Sequence, residues 1–224
     1  MRSIIFFLCL PMFMENFANA AQPDLSLAQS IVKIIAHSDN GKNSIGSGVV
    51  IDDNLIATNC HVIRKANKIF IMKALIKYQV ISRSAIPELD ICLLQTQKMQ
   101  LPSVPLGQQE KTKIGDDIYI FGYPKSIGPS FLRGSVIAFH PYKKSRIIEV
   151  DTGFMQGSSG GGVFNETGEL IGLTTFMGRR HQTSHFYAIP IDWLINAMQM
   201  EAVSIAPFKT QTFWETGSFR HLLN

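Results

Sequence analysis

The sequence has few cysteines, few charges and no long apolar run beyond its first twenty residues. Three cysteines in 224 residues are too few for a disulfide framework, and no Cys-x-x-Cys or Cys/His pair has zinc-ligand spacing. Charged residues are 17% and hydrophobic residues 46% of the chain, which excludes a disordered protein. The net charge of +4 is too small for the concentrated basic face of a nucleic-acid-binding protein. We therefore expect no metal, no cofactor and no nucleic-acid partner.

The N-terminus has the pattern of an export signal. Arg2 precedes an apolar run of 11 residues, Ile4–Met14, and residues 18–20 (Ala-Asn-Ala) have the small residues that signal peptidase requires. In a helix this run covers only about half of the hydrocarbon core, so an uncleaved anchor is the less favoured alternative. We expect a signal peptide over residues 1–20, an exported protein in the periplasm or outside the cell, and no permanent membrane span.

The rest of the chain has the pattern of an all-β protein. β-branched and aromatic residues recur in short runs at 30–36, 47–51, 68–72, 78–81, 91–94, 118–121, 135–139, 146–150, 170–174 and 186–189. Glycine, proline, asparagine and aspartate lie between these runs, which is typical of a β-barrel or a β-sandwich. Two prolines and a glycine in residues 101–107 divide the runs into two sets.

One helix is predicted near the C-terminus, over residues 190–200, because the apolar period changes there and Pro190 suits a first helical turn. Its buried face would contain Ile191, Leu194, Ile195 and Met198. The tail at 206–224 has aromatic residues but no clear period.

A glycine-rich segment at residues 156–162 (Gln-Gly-Ser-Ser-Gly-Gly-Gly) is the strongest chemical signal. A nucleophilic serine needs a sharp turn that exposes its hydroxyl and directs backbone N–H groups at the developing oxyanion, and flanking glycines permit such a turn. The alternative for this segment alone is a glycine-rich hairpin or a phosphate-binding loop. A P-loop is excluded because no Gly-Lys-Ser/Thr follows.

A nucleophilic serine also needs a base and a carboxylate that orients it. His61 directly follows an apolar strand, where packing would hold its imidazole, although a core histidine is the alternative. Asp90 precedes the apolar run 91–94, and a buried carboxylate is costly unless it is paired. His181 and His185 lie in a polar segment and are expected to be solvated rather than metal-binding.

Cys60 and Cys92 lie next to these two candidates, Cys60 directly before His61 and Cys92 two residues after Asp90. The favoured interpretation is a pair of small buried thiols, and the alternative is a disulfide between them.

Taken together, these segments resemble the trypsin-like serine proteases, and within them the bacterial HtrA (high-temperature-requirement) branch. The matching blocks are residues 46–51, 58–62, 89–94 and 157–161, in the chain order His, Asp, Ser. Comparable segments lie at 115–124, 150–152, 170–174 and 187–190, so that the resemblance runs from about residue 28 to residue 200.

The resemblance implies two six-stranded antiparallel β-barrels with a C-terminal helix and an active site between the barrels. The protease domain would cover residues 21–205, with barrel one at about 28–105, barrel two at about 106–200 and the tail at 206–224. The tail is expected to be too short for the PDZ domain that many HtrA members carry.

The resemblance also implies the role of each site residue. His61 would be the general base and then the general acid, Asp90 its orienting partner, and Ser159 the nucleophile, with the N–H groups of Gly157 and Ser159 as oxyanion hole. The specificity pocket would be lined by Gly153, Phe154, Met155, Thr174, Thr175 and Phe176. Because Gly153 stands at the pocket base, where no carboxylate would balance a cation, Val, Ala or Leu is expected before the cleaved bond rather than Lys or Arg.

These expectations describe an exported serine endopeptidase that hydrolyses protein or peptide substrates through an acyl-enzyme, and they leave its oligomeric state open. The alternatives are a catalytically weak binding module on a protease fold and an esterase with the same triad. Two departures from the HtrA pattern are Ser158, where asparagine is usual, and Gly162, where proline is common. The second predicts a more mobile oxyanion loop.

Overall fold

The computed structural model describes residues 24–126, 128–216 and 219, so the predicted signal peptide at 1–20 lies outside the described residues. Barrel one is formed by β1 (Ile31–His37), β2 (Asn43–Asp52), β3 (Leu55–Asn59), β4 (Lys68–Lys73), β5 (Ile76–Ile86) and β6 (Ile91–Thr96). The strand order is β5-β4-β1-β2-β3-β6, all neighbours are antiparallel, and pairing of β5 with β6 closes the barrel. A one-turn helix, α1 (Cys60–Ile63), follows β3, and a 3₁₀ turn (Pro87–Leu89) precedes β6.

Barrel two is closed by β7 (Asp117–Gly122), β8 (Ser130–Tyr142), β9 (Ser145–Val150), β10 (Gly162–Phe164), β11 (Leu170–Arg180) and β12 (Thr183–Pro190). Its order is β10-β11-β12-β9-β8-β7, again antiparallel throughout. The helix α2 (Ile191–Ala197) follows, and β13 (Val203–Ser204) returns to pair with β5 of barrel one. The predicted fold class, two six-stranded barrels and a C-terminal helix, is confirmed.

Side chains that alternate between the two faces of β6 explain how the barrels pack against each other. In β6, Cys92 and Leu94 point into barrel one, whereas Ile91 and Leu93 join a cluster shared by both barrels and α2. Because both faces of β6 are buried over its first four residues, the sequence 91–94 is continuously apolar instead of alternating. The interior of barrel two forms a third cluster around Ile118, Val136 and Ile148. The site residues therefore lie at the edges of strands that packing fixes on both sides.

The helix α2 is where predicted, but its buried face differs from the prediction. Ile191 and Leu194 are buried as expected, whereas Ile195 and Met198 are 45% and 42% exposed. The other residues that α2 buries are Trp193 and Ala197. The reason is aromatic packing, because the Trp193 ring lies edge-on to Tyr142 and Phe213 and turns this side of the short helix toward the core. Neither α-helix of the described segments has the length and apolar character needed to cross a bilayer.

The tail segment, defined here as residues 206–216, lies along both barrels. The N–H of Phe208 donates to the carbonyl of Arg64 at 2.9 Å, and the N–H of Phe213 donates to the carbonyl of Glu88 at 2.8 Å. The Phe213 side chain is buried in the cluster between the barrels. Although its sequence has no period, this segment therefore packs into the fold.

Candidate active site

His61 and Asp90 lie side by side because β3 and β6 are neighbouring strands. His61 is in α1, directly after β3, and Asp90 has a left-handed backbone (φ 59°) directly before β6. The imidazole Nδ1 of His61 lies 2.7 Å from Oδ2 of Asp90, and the backbone N–H of His61 donates to Oδ1 at 2.9 Å. These contacts fix the orientation of the ring. The other ring nitrogen, Nε2, has no hydrogen-bond partner among the described residues.

The Asp90 carboxylate is fully buried, and its charge is satisfied by hydrogen-bond donors from distant parts of the chain. Besides the two contacts with His61, Oδ2 accepts from the Thr175 hydroxyl at 2.6 Å and from the indole N–H of Trp214 at 3.2 Å. A carboxylate offers about four lone-pair sites, so these donors occupy its capacity. Every donor around this buried carboxylate is therefore paired with one of its oxygens.

The pKa of the His61 imidazole is raised above its ordinary value by its surroundings. Burial disfavours the protonated ring, but the charge and hydrogen bond of Asp90 outweigh that effect. Arg64 lowers the pKa of His61 and Glu215 raises it, each to a smaller extent. A base with this pKa is neutral above the raised value and accepts a proton more readily than a free histidine.

Cys60 and Cys92 form a disulfide, with an S–S distance of 2.00 Å and a Cα–Cα distance of 5.0 Å. The favoured expectation of two free thiols was therefore wrong, and the alternative is correct. The reason is the pairing of β3 with β6, which places Cys92 opposite Thr58 and hence beside Cys60. The bond links the residue before His61 to the strand that begins after Asp90.

The Ser159 loop depends on glycine at two positions. Gly157 and Gly160 have φ values of +96° and +83°, which side chains rarely adopt. A Cβ at Gly157 would lie 2.7 Å from the carbonyl oxygen of Tyr123, and one at Gly160 would lie 2.2 Å from the carbonyl oxygen of Ser47. The sharp turn predicted for this segment is therefore present, and steric exclusion requires its glycines.

Two backbone N–H groups beside the Ser159 hydroxyl lack acceptors. Within the described ranges, the amides of Gly157 and Ser159 donate no hydrogen bond, whereas the next amide, that of Gly160, donates to the Thr174 carbonyl at 2.8 Å. Free N–H groups on either side of a serine are suited to bind a developing oxyanion. The predicted oxyanion-hole residues thus have the required free donors.

Ser47, in β2 of barrel one, holds the Ser159 loop of barrel two. Its hydroxyl donates to the Gly157 carbonyl at 2.7 Å and accepts from the Tyr123 N–H at 2.8 Å, and its own N–H donates to the Ser159 carbonyl at 2.8 Å. Ser47 is fully buried. By binding the Gly157 carbonyl, it orients the adjacent peptide. The sequence analysis found the block 46–51 but assigned no role to Ser47.

The Ser159 hydroxyl donates to the Thr175 carbonyl at 3.3 Å rather than to His61. Thr175 therefore joins the two halves of the site, since its hydroxyl binds Asp90 and its carbonyl accepts from Ser159. The structure thus brings His61 and Asp90 into direct contact and places Ser159 on the other side of Thr175. Engagement of the imidazole requires rotation of the Ser159 side chain.

A cleft of about 740 Å³ opens beside Ser159. Five of the predicted pocket residues line it: Gly153, Phe154, Met155, Thr175 and Phe176. Thr174 does not, because it is fully buried and its hydroxyl donates to the Ser158 carbonyl at 2.6 Å. Gln156 and Phe186, from the segments predicted to build the pocket, also line the cleft, and the lining residues outside those segments are Lys125, Met177 and Trp214. No carboxylate belongs to this lining, and Lys125 is its one ionisable group among the described residues.

The departure at Gly162 has a packing explanation rather than one of mobility. Gly162 begins β10 and pairs with both Leu173 and Phe121. A Cβ at this position would lie 2.4 Å from the ring of Phe164. Glycine is therefore required by close contact inside a strand, and the inference of a looser loop from this residue was wrong.

His185 lies in β12 and not in a solvated loop. Its Nδ1 lies 2.6 Å from Oε1 of the buried Glu149, whose Oε2 lies 2.6 Å from Nε2 of His140. Burial acts to raise the pKa of Glu149, but the two imidazoles outweigh it and lower that pKa. His181 lies in the exposed turn before β12. Among the described residues, no three His, Cys, Asp or Glu side chains are arranged to hold a metal ion.

Comparison with known proteins gives consistent matches. The family model for a trypsin-like peptidase domain matches residues 46–173. A probable periplasmic serine endoprotease DegP-like from Pseudomonas putida (strain W619) is 31% identical over 174 residues, which is 68% of this chain and 34% of that protein. The serine endoprotease DegS from Salmonella typhimurium (strain 14028s / SGSC 2262) is 28% identical over 172 residues, 71% of this chain and 48% of that protein. The chain thus spans between about a third and a half of these relatives.

Among solved structures, an HtrA-type protease, AlgW with a tripeptide, has the same fold. The TM-score is 0.71 and the identity 23%, over 78% of this chain and 60% of that chain.

Proposed function

Because the chain belongs to the family of trypsin-like peptidase domains and is similar to HtrA-type serine proteases, we propose that it is an exported serine endopeptidase with Ser159, His61 and Asp90 as its triad. The observation that carries the proposal is the hydrogen-bonded His61–Asp90 pair, which Thr175 links to Ser159, together with the free N–H groups of Gly157 and Ser159. The signal pattern at residues 1–20 supports export, as does the similarity to the Pseudomonas relative, a probable periplasmic enzyme.

The geometry suggests the following reaction sequence. Rotation of the Ser159 side chain brings Oγ to the free Nε2 of His61, which takes the hydroxyl proton as Oγ attacks the peptide carbonyl carbon. The carbonyl oxygen becomes an anion held by the N–H groups of Gly157 and Ser159. The C–N bond then breaks, His61 gives its proton to the leaving amine, and an acyl-enzyme remains. Water repeats the sequence, releasing the acid and restoring Ser159.

Asp90 has two tasks in this sequence. It fixes the imidazole tautomer with Nδ1 protonated, and its charge stabilises the imidazolium that forms during attack. Thr175 and Trp214 also donate to the carboxylate and help to hold it in the orientation that both tasks require.

The cleft supports a preference for aliphatic residues before the cleaved bond. Its walls include Phe154, Met155 and Phe176, its base offers no carboxylate, and Lys125 repels a second cation. Asp151, the nearest acid in sequence, accepts from the N–H of Ser135 at 2.7 Å and is not part of the lining. Since one methylene in such a pocket changes binding by about 1–3 kcal/mol, the preference is graded.

The proposal is tested by labelling with a serine-directed fluorophosphonate, followed by cleavage of peptides that differ only before the scissile bond. Labelling and cleavage are expected for the native chain, with Val or Leu ranking above Lys and Arg. Ser159→Ala is expected to abolish labelling and to lower turnover by several orders of magnitude, while the matched neighbour Ser158→Ala has a mild effect.

Each contrary result has a defined meaning. Folded protein that neither labels nor cleaves would favour a binding module. Labelling with turnover of esters but not of peptides would favour an esterase. Reversal of the two serine variants would show that the nucleophile was assigned to the wrong residue, and a clear Lys or Arg preference would overturn the pocket assignment.

A further inference from the structure

Trp214 contacts the proposed catalytic pair in two ways. Its indole N–H donates to Oδ2 of Asp90 at 3.2 Å, the same oxygen that contacts His61. Its ring also lies edge-on to the His61 imidazole, with centroids 5.5 Å apart and planes at 87°. A residue near the end of the chain thus supplies both a hydrogen bond to the carboxylate and a packing surface for the base.

The Trp214 ring is also part of the cleft wall. It stacks on Phe176 at 5.5 Å with an interplanar angle of 17°, and both rings line the cleft that opens beside Ser159. Because Phe176 is itself stacked on the buried Tyr187, the Trp214 ring rests on a rigid support. The indole therefore contacts both the His61–Asp90 pair and the cleft.

Anchors on both sides of Trp214 hold it in place. Glu215 forms a two-pronged ion pair with the Arg64 guanidinium, with N–O distances of 2.5 and 2.8 Å, and accepts two hydrogen bonds from Thr212. The N–H of Phe213 donates to the carbonyl of Glu88. Arg64 directly follows α1, which carries His61, and Glu88 lies in the turn that precedes Asp90. The tail is thus attached to the segments that carry the base and the acid.

We infer that residues 212–215 of the tail segment are part of the active site and that Trp214 is a positioning residue, which orients the Asp90–His61 pair and forms a wall of the substrate cleft. This inference rests on the proposed function. Trp214 takes no part in bond making. It acts through Asp90, whose carboxylate it helps to hold, and through the shape of the cleft.

Two substitutions separate these roles. Trp214→Phe keeps the ring stacked on Phe176 and removes the N–H, so we expect kcat to fall about three- to tenfold with KM unchanged. Trp214→Ala removes both, so we expect kcat/KM to fall about 10- to 100-fold with a raised KM. Phe208→Leu is the matched control, because it changes a tail aromatic that packs against Arg83 of barrel one, and wild-type kinetics are expected.

The pH profile distinguishes positioning from general structural support. Without the indole N–H, the Asp90 carboxylate holds the His61 proton more strongly, so the acid limb of kcat/KM is expected to move up by about half a pH unit in Trp214→Phe. The other charged groups that act on His61 are Arg64 and Glu215, and this variant leaves both in place. An unshifted profile with wild-type kcat in folded Trp214→Phe would overturn the inference.

A measurement on inactive protein keeps this test separate from the proposed function. In Ser159→Ala, the indole N–H resonance of Trp214 is expected to shift as His61 titrates, while that of Trp193, which lies away from the pair, stays constant. Coupling of Trp214 to His61 in Ser159→Ala, together with failure of fluorophosphonate to label the native chain, would overturn the protease proposal but support the placement of the tail. Efficient labelling without this coupling would overturn the inference about Trp214 alone.

Discussion

Barrel one holds its half of the site with a covalent bond, whereas barrel two holds its half with glycines and hydrogen bonds. The Cys60–Cys92 disulfide joins the segments of His61 and Asp90. The Ser159 loop has no such link and depends on Ser47, which belongs to the other barrel.

The difference shows which barrel orients its own site residues without contacts from the other barrel. Within barrel one, the N–H groups of Cys60 and His61 both donate to Asp90, so the pair is oriented by its own backbone. The Ser159 loop, in contrast, is held in part from across the interface, because Ser47 binds the carbonyls of Gly157 and Ser159. Barrel one thus prepares the base and acid before docking, while the oxyanion donors of barrel two need the interface.

The largest effect is expected from a change inside barrel one that keeps its geometry. Asp90→Asn retains the shape but cannot stabilise an imidazolium, and it favours the wrong histidine tautomer, so kcat is expected to fall about 10⁴-fold. Steady-state kinetics would measure this, with circular dichroism to verify folding. A loss of less than tenfold would remove Asp90 from the triad.

Removal of the disulfide tests how much the covalent bond stabilises barrel one. For a closed loop of this length, Cys60→Ala with Cys92→Ala is expected to lower the free energy of unfolding by about 3–4 kcal/mol in urea titrations. Reductant should destabilise the native chain by a similar amount and leave the double variant unchanged. Two free thiols in unreduced native protein would contradict the bond.

A smaller effect is expected at the contact between the barrels. Ser47→Ala leaves the buried Gly157 carbonyl and Tyr123 N–H without their partner, so we expect kcat to fall about 10- to 100-fold with little change in KM, and stability to fall by about 1–3 kcal/mol. Ser44→Ala, an exposed position on the same strand, is the control. If both variants kept wild-type kcat, barrel two would orient its own oxyanion donors.

The smallest effect is expected at the tail, which bridges the two barrels. Burial acts to raise the pKa of Glu215, but its bonds to Arg64 and Thr212 outweigh that effect and lower the pKa to about 2. The stability that this lowered pKa confers is complete above the ordinary glutamate pKa of 4.5 and is lost as pH falls through about 2. Glu215→Gln should therefore cost about 1 kcal/mol near pH 6 and nothing near pH 2 in urea titrations. An equal difference at both pH values would argue against an ionised Glu215.

Sequence patterns predicted the positions of the strands more accurately than they predicted the contacts between elements. The run 91–94 was assigned correctly because a strand buried on both faces is apolar throughout. The short strand β10 was missed because its first residue belongs to a glycine-rich loop. The buried face of α2 was predicted wrongly because the spacing of apolar residues along the chain does not show where the large Trp193 ring packs.

By itself the sequence determined the fold class, the order of His61, Asp90 and Ser159, and the glycine turn at the nucleophile, because strand patterning and turn geometry are local properties. Only the tertiary structure decided the disulfide and the contacts of Thr175, Ser47 and Trp214. Their partners lie between 32 and 124 positions away along the chain. Such contacts depend on which strands pair and how the barrels and tail pack, and no local pattern encodes the distance between two segments that meet only in the folded protein.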